Sequence, residues 1–528
     1  MKTTLKKNDI DSNEELRTLS IRINSTKLNK KILSLVYSYR HFENILLILI
    51  KQNYDLYSQG QDNSNDFQYL TNKQTLRNAL LDYKTKNSKD SDYLNEKYKD
   101  NELWQSLKEI AKTIKQHNFV YIIDKVKANY KTYFTNIQMW HKNPSLFTGM
   151  PKPPRPKKLS KLTNYAVDID RYTALSFAKL ENKNLIGVNL SNKMLYINCN
   201  SAQVKKLTDI DRLYSAKIVY DNGLLYLNIS YLKKATDFIP LAVKESGIDI
   251  GVDNLAAVFV NDKTTPSLII DGKPFKHYNA KFNRLLSKLN ESKSQEVLEW
   301  GISKTGTKYP IKYTQKGKDI NKFISFLYSK RNKYFYDQFH KISKRIVEYL
   351  HFNNVTDLYL SKNLAELKNN GECELSKSVK QGFIQIPFIK LLKNIEYKAQ
   401  ELGINVYWID ESYSSKSSCI SDDIISIQLN KPNSTNAFNG RRVERGLFLD
   451  TLLNKVFNAD INGAVNHIKI ATAKSFEWLK NSLFKLCNPI KIKSDYEFCK
   501  LLKTLQNSLS GKSVLWANQS TEASESTV

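Results

Sequence analysis

A chain of 528 residues, 41% of them hydrophobic, carries 81 Lys and Arg against 52 Asp and Glu, a formal net charge of +29. Such a length supports about two to four domains, each burying its own core, and rules out a single small binding module. The basic excess is spread along the sequence rather than held in one tail, and a surplus of this size calls for a polyanion, nucleic acid before a membrane surface.

The longest apolar run, Ile45 to Ile50, is far short of the ~20 residues that cross a bilayer, so no membrane partner is expected. Met1 to Asn13 is basic but lacks the apolar stretch of a signal peptide, which predicts a cytoplasmic, nucleoid-associated protein. Cys199, Cys373, Cys419, Cys487 and Cys499 are few, odd in number and without any CxxC pair. That usage speaks against a disulfide framework and against a zinc finger.

Along the chain, Leu19 to Ile23 alternates as a short strand, and residues 1–26 are assigned as an N-terminal tail with the first strand of a β-module. Residues 27–142 repeat apolar positions at helical spacing, as in Ile32, Leu35, Val36 and Tyr39, and predict a helical lobe. NPSLFTGMPKPPRPKK, from Asn143 to Lys158, interrupts this with five prolines that hold the chain extended. Lys152, Arg155, Lys157 and Lys158 project from the stiff strip, where they suit phosphates or serve as a plain basic linker. Short alternating runs then predict a β-barrel module over 143–240. From 241 onward strand and helix alternate, an α/β order. Within it, Phe323 to Leu350 reads as a long helix with Phe335, Phe339, Ile342, Ile346 and Tyr349 on one face and Lys341, Lys344 and Arg345 away from it. The segment 476–528 turns polar, ends STEASESTV, and is expected to be largely unfolded.

The chemistry is concentrated in two pieces. SGIDIGVDNLAAVFV, Ser246 to Val260, sets Asp249 inside an apolar strand, a costly place for a carboxylate without a cation or hydrogen bonds. NADINGAVNHIKI, Asn458 to Ile470, sets Asp460 at the start of a helix that Gly463 and Ala464 keep slim. Taken alone, Asp460 would serve as a helix cap. Two strand carboxylates and one on a helix are what two-metal phosphodiester hydrolysis needs, and all-oxygen ligands suit Mg²⁺.

These motifs resemble those of TnpB proteins, transposon-associated RNA-guided nucleases related to type V CRISPR effectors and to the Fanzor proteins. The first piece is similar to the first RuvC motif and the second to the third. GRRVERGLF at Gly440 to Phe448, the stretch QGFIQIPFIKLLKNIEYKAQELGINVYWIDESYSSKSS and the proline-rich strip continue the likeness over roughly Asn143 to Ile470. The resemblance implies a multidomain α/β protein with a helical lobe, a wedge-like β-barrel and an RNase H-like (RuvC) nuclease domain split between 241–411 and 458–475. It implies an RNA-guided DNA endonuclease with two Mg²⁺ ions. Its partners would be a transposon-encoded omega RNA or similar guide and target double-stranded DNA bearing a short flanking motif, and a monomer is favoured.

Two departures shape the expected site. The usual second-motif glutamate is replaced by Ser361, and the branch resembled here draws its glutamate from the next strand, which points to Glu411, ahead of Glu366 and Asp410. Asp249, Glu411 and Asp460 are thus the implied catalytic metal ligands. The zinc ribbon of most relatives lacks its thiolates, so 412–457 is expected to be metal-free, with Arg441, Arg442 and Arg445 taking part of its nucleic-acid contact. The alternatives are a nuclease-dead RNA-guided repressor and an RNase H-type transposase or resolvase that works without a guide.

Overall fold

The computed structural model describes residues 14–58, 66–84, 89–159, 165–210, 212–221, 223–234, 243–303, 306–362, 386–421, 423–424, 438–444 and 446–507. The chain divides into two compact units, Met1–Lys234 and Ala235–Val528. Among the described residues no helix is long and apolar enough to cross a membrane.

In the first unit, long helices at Thr26–Ser58 and Gln116–Lys142 bury the apolar positions that their spacing marks, among them Ile32, Val36, Tyr39 and Phe42, with Phe42 stacked on Phe119 at 5.1 Å. Asn101 caps the intervening Glu102–Thr113 helix by accepting from the Trp104 amide. The strands are β1 (Glu14–Arg22), β2 (Tyr165–Ile169), β3 (Leu175–Ser176), β4 (Leu185–Asn189), β5 (Met194–Asn198), β6 (Arg212–Asp221) and β7 (Leu224–Lys234). They form an antiparallel sheet in the order β1-β7-β6-β2 and a separate sheet β3-β4-β5, so the expected closed barrel is not formed. The reason lies in what covers the apolar face. One continuous core joins Val36, Phe42 and Phe119 of the helices to Ile21, Val167, Ile218 and Leu227 of the larger sheet, so the sheet is covered without curling on itself. A buried polar knot ties helix to strand. The Tyr39 hydroxyl donates to the Leu190 carbonyl at 2.9 Å, and Asn118 donates to the Asn189 carbonyl at 2.9 Å.

The proline-rich strip runs over this unit without regular structure beyond a short 3₁₀ turn at Pro144–Leu146. Asn44 pins it, donating to the Lys157 carbonyl at 2.8 Å and accepting from the Lys157 amide at 3.1 Å. Lys152, Arg155, Lys157 and Lys158 all remain exposed.

The second unit is built on a six-stranded sheet. Its strands are β8 (Glu245–Asp249), β9 (Asn254–Val260) and β10 (Leu268–Asp271), then, beyond the hairpin β11 (Val297–Ile302) and β12 (Lys308–Tyr313), β13 (Asp357–Ser361) and β14 (Asn405–Ile409). After the small antiparallel sheet β15 (Gly440–Glu444), β16 (Leu447–Asp450) and β17 (Lys455–Asn458), the chain returns as β18 (Ile490–Ile492). The order is β14-β13-β8-β9-β10-β18, with β8, β9 and β10 antiparallel and β13 and β14 parallel to β8. Strand alternation sends Val258 and Val260 to one face and Ala257 and Phe259 to the other, giving two cores. Over the first face lies the Gln315–Phe352 helix, through Phe335, Phe339, Ile346 and Leu350, as its pattern predicts. Over the second lies the Ala459–Thr472 helix, through Ala464, Val465 and Ile468.

Residues 476–507 depart from the unfolded tail expected of them. β18 pairs in parallel with β10, a helix covers 495–507, and Leu479, Leu486, Ile492, Phe498 and Leu502 are buried. The polar composition of the last residues masks these spaced apolar positions.

Candidate active site

The site forms where β8, the end of β14 and the Ala459–Thr472 helix meet. Glycines permit the approach. A Cβ on Gly247 of β8 would sit 2.0 Å from the Ala464 carbonyl oxygen, and one on Gly463 would sit 2.7 Å from Asp249 Oδ2. Helix and strand backbones are therefore in direct contact, and the helix delivers its side chains onto the C-terminal end of β8.

Asp249 ends β8, and its carboxylate lies in a group with Glu411 and His467 in which one donor atom from each is within 4.8 Å of the others. Burial pushes the Asp249 carboxyl up to about 7; His467 pulls it down, while Glu411 and Asp460 push it further up. Glu411 stands two residues beyond Ile409, whose Cα is the partner of Ser361 across the parallel pair β13–β14. Ser361 thus flanks Glu411. Burial raises the Glu411 carboxyl, but His467 and then Ser361 outweigh this and hold it below the usual glutamate range. His467 is fully buried, with Nε2 3.4 Å from Glu411 Oε2. Burial draws its imidazole down, and Glu411 and Asp249 together hold it above the ordinary value.

Asp460 is close enough to act on Asp249 but its carboxylate is engaged on its own side of the site. Oδ2 accepts from Asn254 Nδ2 at 2.6 Å, and Oδ1 is 3.5 Å from the Arg442 guanidinium. The helix cap is not Asp460 but Asn458, which accepts from the amides of Asp460 and Ile461, both at 3.0 Å. The backbone requirement that could have explained Asp460 is met by its neighbour, which leaves the Asp460 carboxylate for other work.

Of the other carboxylates weighed from the sequence, Glu366 lies outside the described residues. Asp410 adjoins the site but accepts from the Ser412 amide at 3.0 Å in a local turn. Arg441 and Arg442 are exposed on β15, and Arg445 lies outside the described residues. On the long helix Lys341 pairs with Asp337 at 2.7 Å and Lys344 with Glu348 at 3.5 Å. Arg345 is held by Glu348 at 2.8 Å and by Asp495 at 3.1 Å, which binds it into the fold.

The element expected without zinc is organised by hydrogen bonds. Asn462 donates to the Ser417 carbonyl and accepts from the Cys419 amide, at 2.9 and 2.8 Å, and Asn466 donates to the carbonyls of Ser414 and Ser417. Lys469 reaches the Cys419 carbonyl. Buried Asp450 accepts from Ser418, Ser421 and, at 2.7 Å, the Leu453 amide. One face of the helix serves the site while another fastens 414–419.

His467 is the residue that the motif reading passed over. Its signal was present in NADINGAVNHIKI: seven residues from Asp460 is close to two helical turns, so the two side chains share a face.

The sequence family described as a probable transposase, OrfB_IS605, matches residues 240–366, and the Cas12f1-like TNB domain matches residues 388–467. Asp249 and Ser361 fall in the first match, Glu411, Asp460 and His467 in the second. No curated protein matches the chain in sequence. Among solved structures, a Cas12f1–sgRNA–target DNA complex is 15% identical over 86% of this chain and 99% of that chain, with a TM-score of 0.44. A CRISPR-Cas12f ternary complex is 14% identical over 87% and 99%, with a TM-score of 0.30. The mini-RNA-guided endonuclease CRISPR-Cas_phi3 is 11% identical over 87% and 92%, with a TM-score of 0.34. What the two family matches show is confined to the second unit: residues 240–366 are similar to the OrfB_IS605 (TnpB) family of probable transposases and residues 388–467 to the Cas12f1-like TNB domain.

Proposed function

We propose that the chain is an RNA-guided DNA endonuclease that hydrolyses phosphodiester bonds with divalent metal ions, Mg²⁺ in the first place, in a RuvC-type site. The observation that carries this reading is the convergence of Asp249 and Glu411 at the ends of β8 and β14, with Asp460 beside them, in a chain with these family likenesses and a net charge of +29. The antiparallel trio β8, β9 and β10 followed by β13 and β14 parallel to β8 suits an RNase H-like nuclease domain, with the third motif on the helix that covers its face.

The residues fit a divalent ion. Two carboxylates and an imidazole face one another with Asp460 beside them, and Asp249 is carried far above its usual range by burial and by its acidic neighbours, a strain that a cation relieves. Asp249, Glu411 and Asp460 would hold the ions. Bound there, two divalent ions supply positive charge at the scissile phosphate and lower the pKa of water. Asn254 and Arg442 orient Asp460, and Gly247 and Gly463 keep the helix close enough for its side chains to reach the site. Guide RNA and target double-stranded DNA are the polyanions that the basic surplus would offset. Base pairing would select most of the sequence and the protein would read a short flanking motif.

The test is to sequence the RNA that copurifies with the full chain, supply the matching DNA, and compare Asp249→Ala and Asp460→Ala with the parent. Cleavage in Mg²⁺ is expected, abolished in both variants and in EDTA, while target binding is retained. A parent that binds its target and never cuts would establish the nuclease-dead repressor instead. Cleavage with no defined RNA bound would establish a guide-free transposase or resolvase.

A further inference from the structure

We infer that His467 is an inner ligand of the metal centre, so that the ion beside Asp249 and Glu411 is held by two carboxylates and one imidazole nitrogen. The inference rests on the metal-dependent reading above and deepens it. His467 is fully buried, and its ring meets the Glu411 carboxylate and the Ile248 backbone without either contact reaching good hydrogen-bond geometry. A buried imidazole left in that state is costly, because both nitrogens are strong hydrogen-bonding groups. Its Nε2 faces Glu411 Oε2 at 3.4 Å, and both lie within 4.8 Å of an Asp249 oxygen.

Those spacings suit a shared ion. Donors at about 2.1 Å from a small divalent cation stand roughly 3 Å apart when adjacent and somewhat over 4 Å when opposite. The 3.4 Å contact is near the first value, and a movement of a few tenths of an ångström brings the widest spacing to the second. The ring cannot turn away, because the Ala459–Thr472 helix is fixed against β8 by Gly247 on one side and against 414–419 by Asn462 and Asn466 on another. Asp460 is tied to Asn254 and Arg442, so within the close group the third donor is nitrogen rather than a third carboxylate oxygen. An imidazole in the set weakens Mg²⁺, which keeps to oxygen ligands, relative to transition ions, of which Mn²⁺ also accepts the two carboxylates.

Pulsed electron paramagnetic resonance of the tag-free full chain with one equivalent of Mn²⁺ reads this directly. Echo modulation from a coordinated ¹⁴N is expected, changing to the ¹⁵N pattern when only histidine is ¹⁵N-labelled; Mn²⁺ on phosphates or nucleobases of bound RNA is blind to that label. The modulation should vanish in Asp249→Asn, which places the histidine at this site, and in His467→Gln, which identifies it. Should His467→Gln fail to fold, the labelled parent and Asp249→Asn still decide. Mn²⁺ affinity should fall at least ~10-fold in His467→Gln, since even outer partners of metal ligands contribute 10- to 100-fold, while Mg²⁺ affinity falls less. Mn²⁺ bound in an Asp249-dependent way without a histidine nitrogen would overturn this ligand assignment and leave the nuclease reading standing. No Asp249-dependent Mn²⁺ binding would overturn both.

Discussion

Glu411 occupies the place where the sequence departs furthest from the common pattern of the TnpB proteins it resembles. Ser361 has no carboxylate to offer a metal, and its position opposite Ile409 sets Glu411 beside it, at the sheet's end where Asp249 also stands. Removing the charge while keeping the shape should therefore remove the function: Glu411→Gln is expected to lower the cleavage rate by ~10²-fold or more, the scale seen when one electrostatic stabiliser is lost. Single-turnover cleavage with prebound target checks this. Near-parental cutting by Glu411→Gln together with loss in Glu366→Gln would transfer the role to Glu366. A second prediction concerns Asp249, whose carboxyl sits near pH 7 in the folded, metal-free protein but near 3.9 when unfolded. Between those values the folded state binds the extra proton, so this group's contribution favours folding at low pH and is lost as pH rises toward 7. His467, held above its ordinary value, adds the same sign at slightly higher pH. In EDTA, the parent should lose stability relative to Asp249→Asn between about pH 4 and 7, and Mg²⁺ should flatten the difference by holding the carboxylate ionised. Denaturant titrations across that range measure it, and a parent that gains stability relative to the variant would contradict it.

At the scale of elements, the site depends on one helix lying against one strand with no side chain between them. Gly247→Ala would place a methyl 2.0 Å from the Ala464 carbonyl oxygen, a backbone atom with nowhere to go except by moving the helix. Overpacking of this kind costs about 1–3 kcal/mol. It should also reduce cleavage beyond what the lost stability explains, since Asp460 and His467 ride on that helix. Gly149→Ala, which meets nothing within 4 Å, is the matched control and should change neither. Much of this level was legible. The 3.6-residue period gave the Gln315–Phe352 helix, and the small residues of both motifs hinted at close packing. That the expected barrel would stay open was not legible, because alternation specifies which face of a strand is apolar and says nothing about whether edge strands meet or helices cover them. The role of Asn462 and Asn466 was hidden for a similar reason. Each meets backbone more than forty residues away in sequence, at Ser414–Cys419.

For the whole molecule, the two units have separate cores, and the second unit closes its own with the last described segment. Composition read 476–528 as one polar tail, since Ser and Thr at the end dilute the apolar positions upstream, of which five are buried over the twenty-four residues 479 to 502. In the structure β18 pairs with β10 and covers that edge, Ile492, Phe498 and Leu502 enter the core beneath the long helix, and Asp495 pairs with Arg345. Deletion after Ser475 would strip Leu479, Leu486, Ile492, Phe498 and Leu502 from their sites and leave β10 as an open edge. Truncating a single buried Leu, Ile or Phe to alanine costs ~2–5 kcal/mol. Five such losses, ~10–25 kcal/mol together, match or exceed the ~5–15 kcal/mol by which a domain is normally stable, so the shortened second unit should not fold and its uncovered edge should promote aggregation. A chain ending at Asn507 keeps every one of these contacts and should unfold at the parental temperature. Light scattering and thermal unfolding of the two truncations decide the matter: a soluble, cooperatively folding protein ending at Ser475 would show that the segment is an ornament of the sheet rather than part of its core.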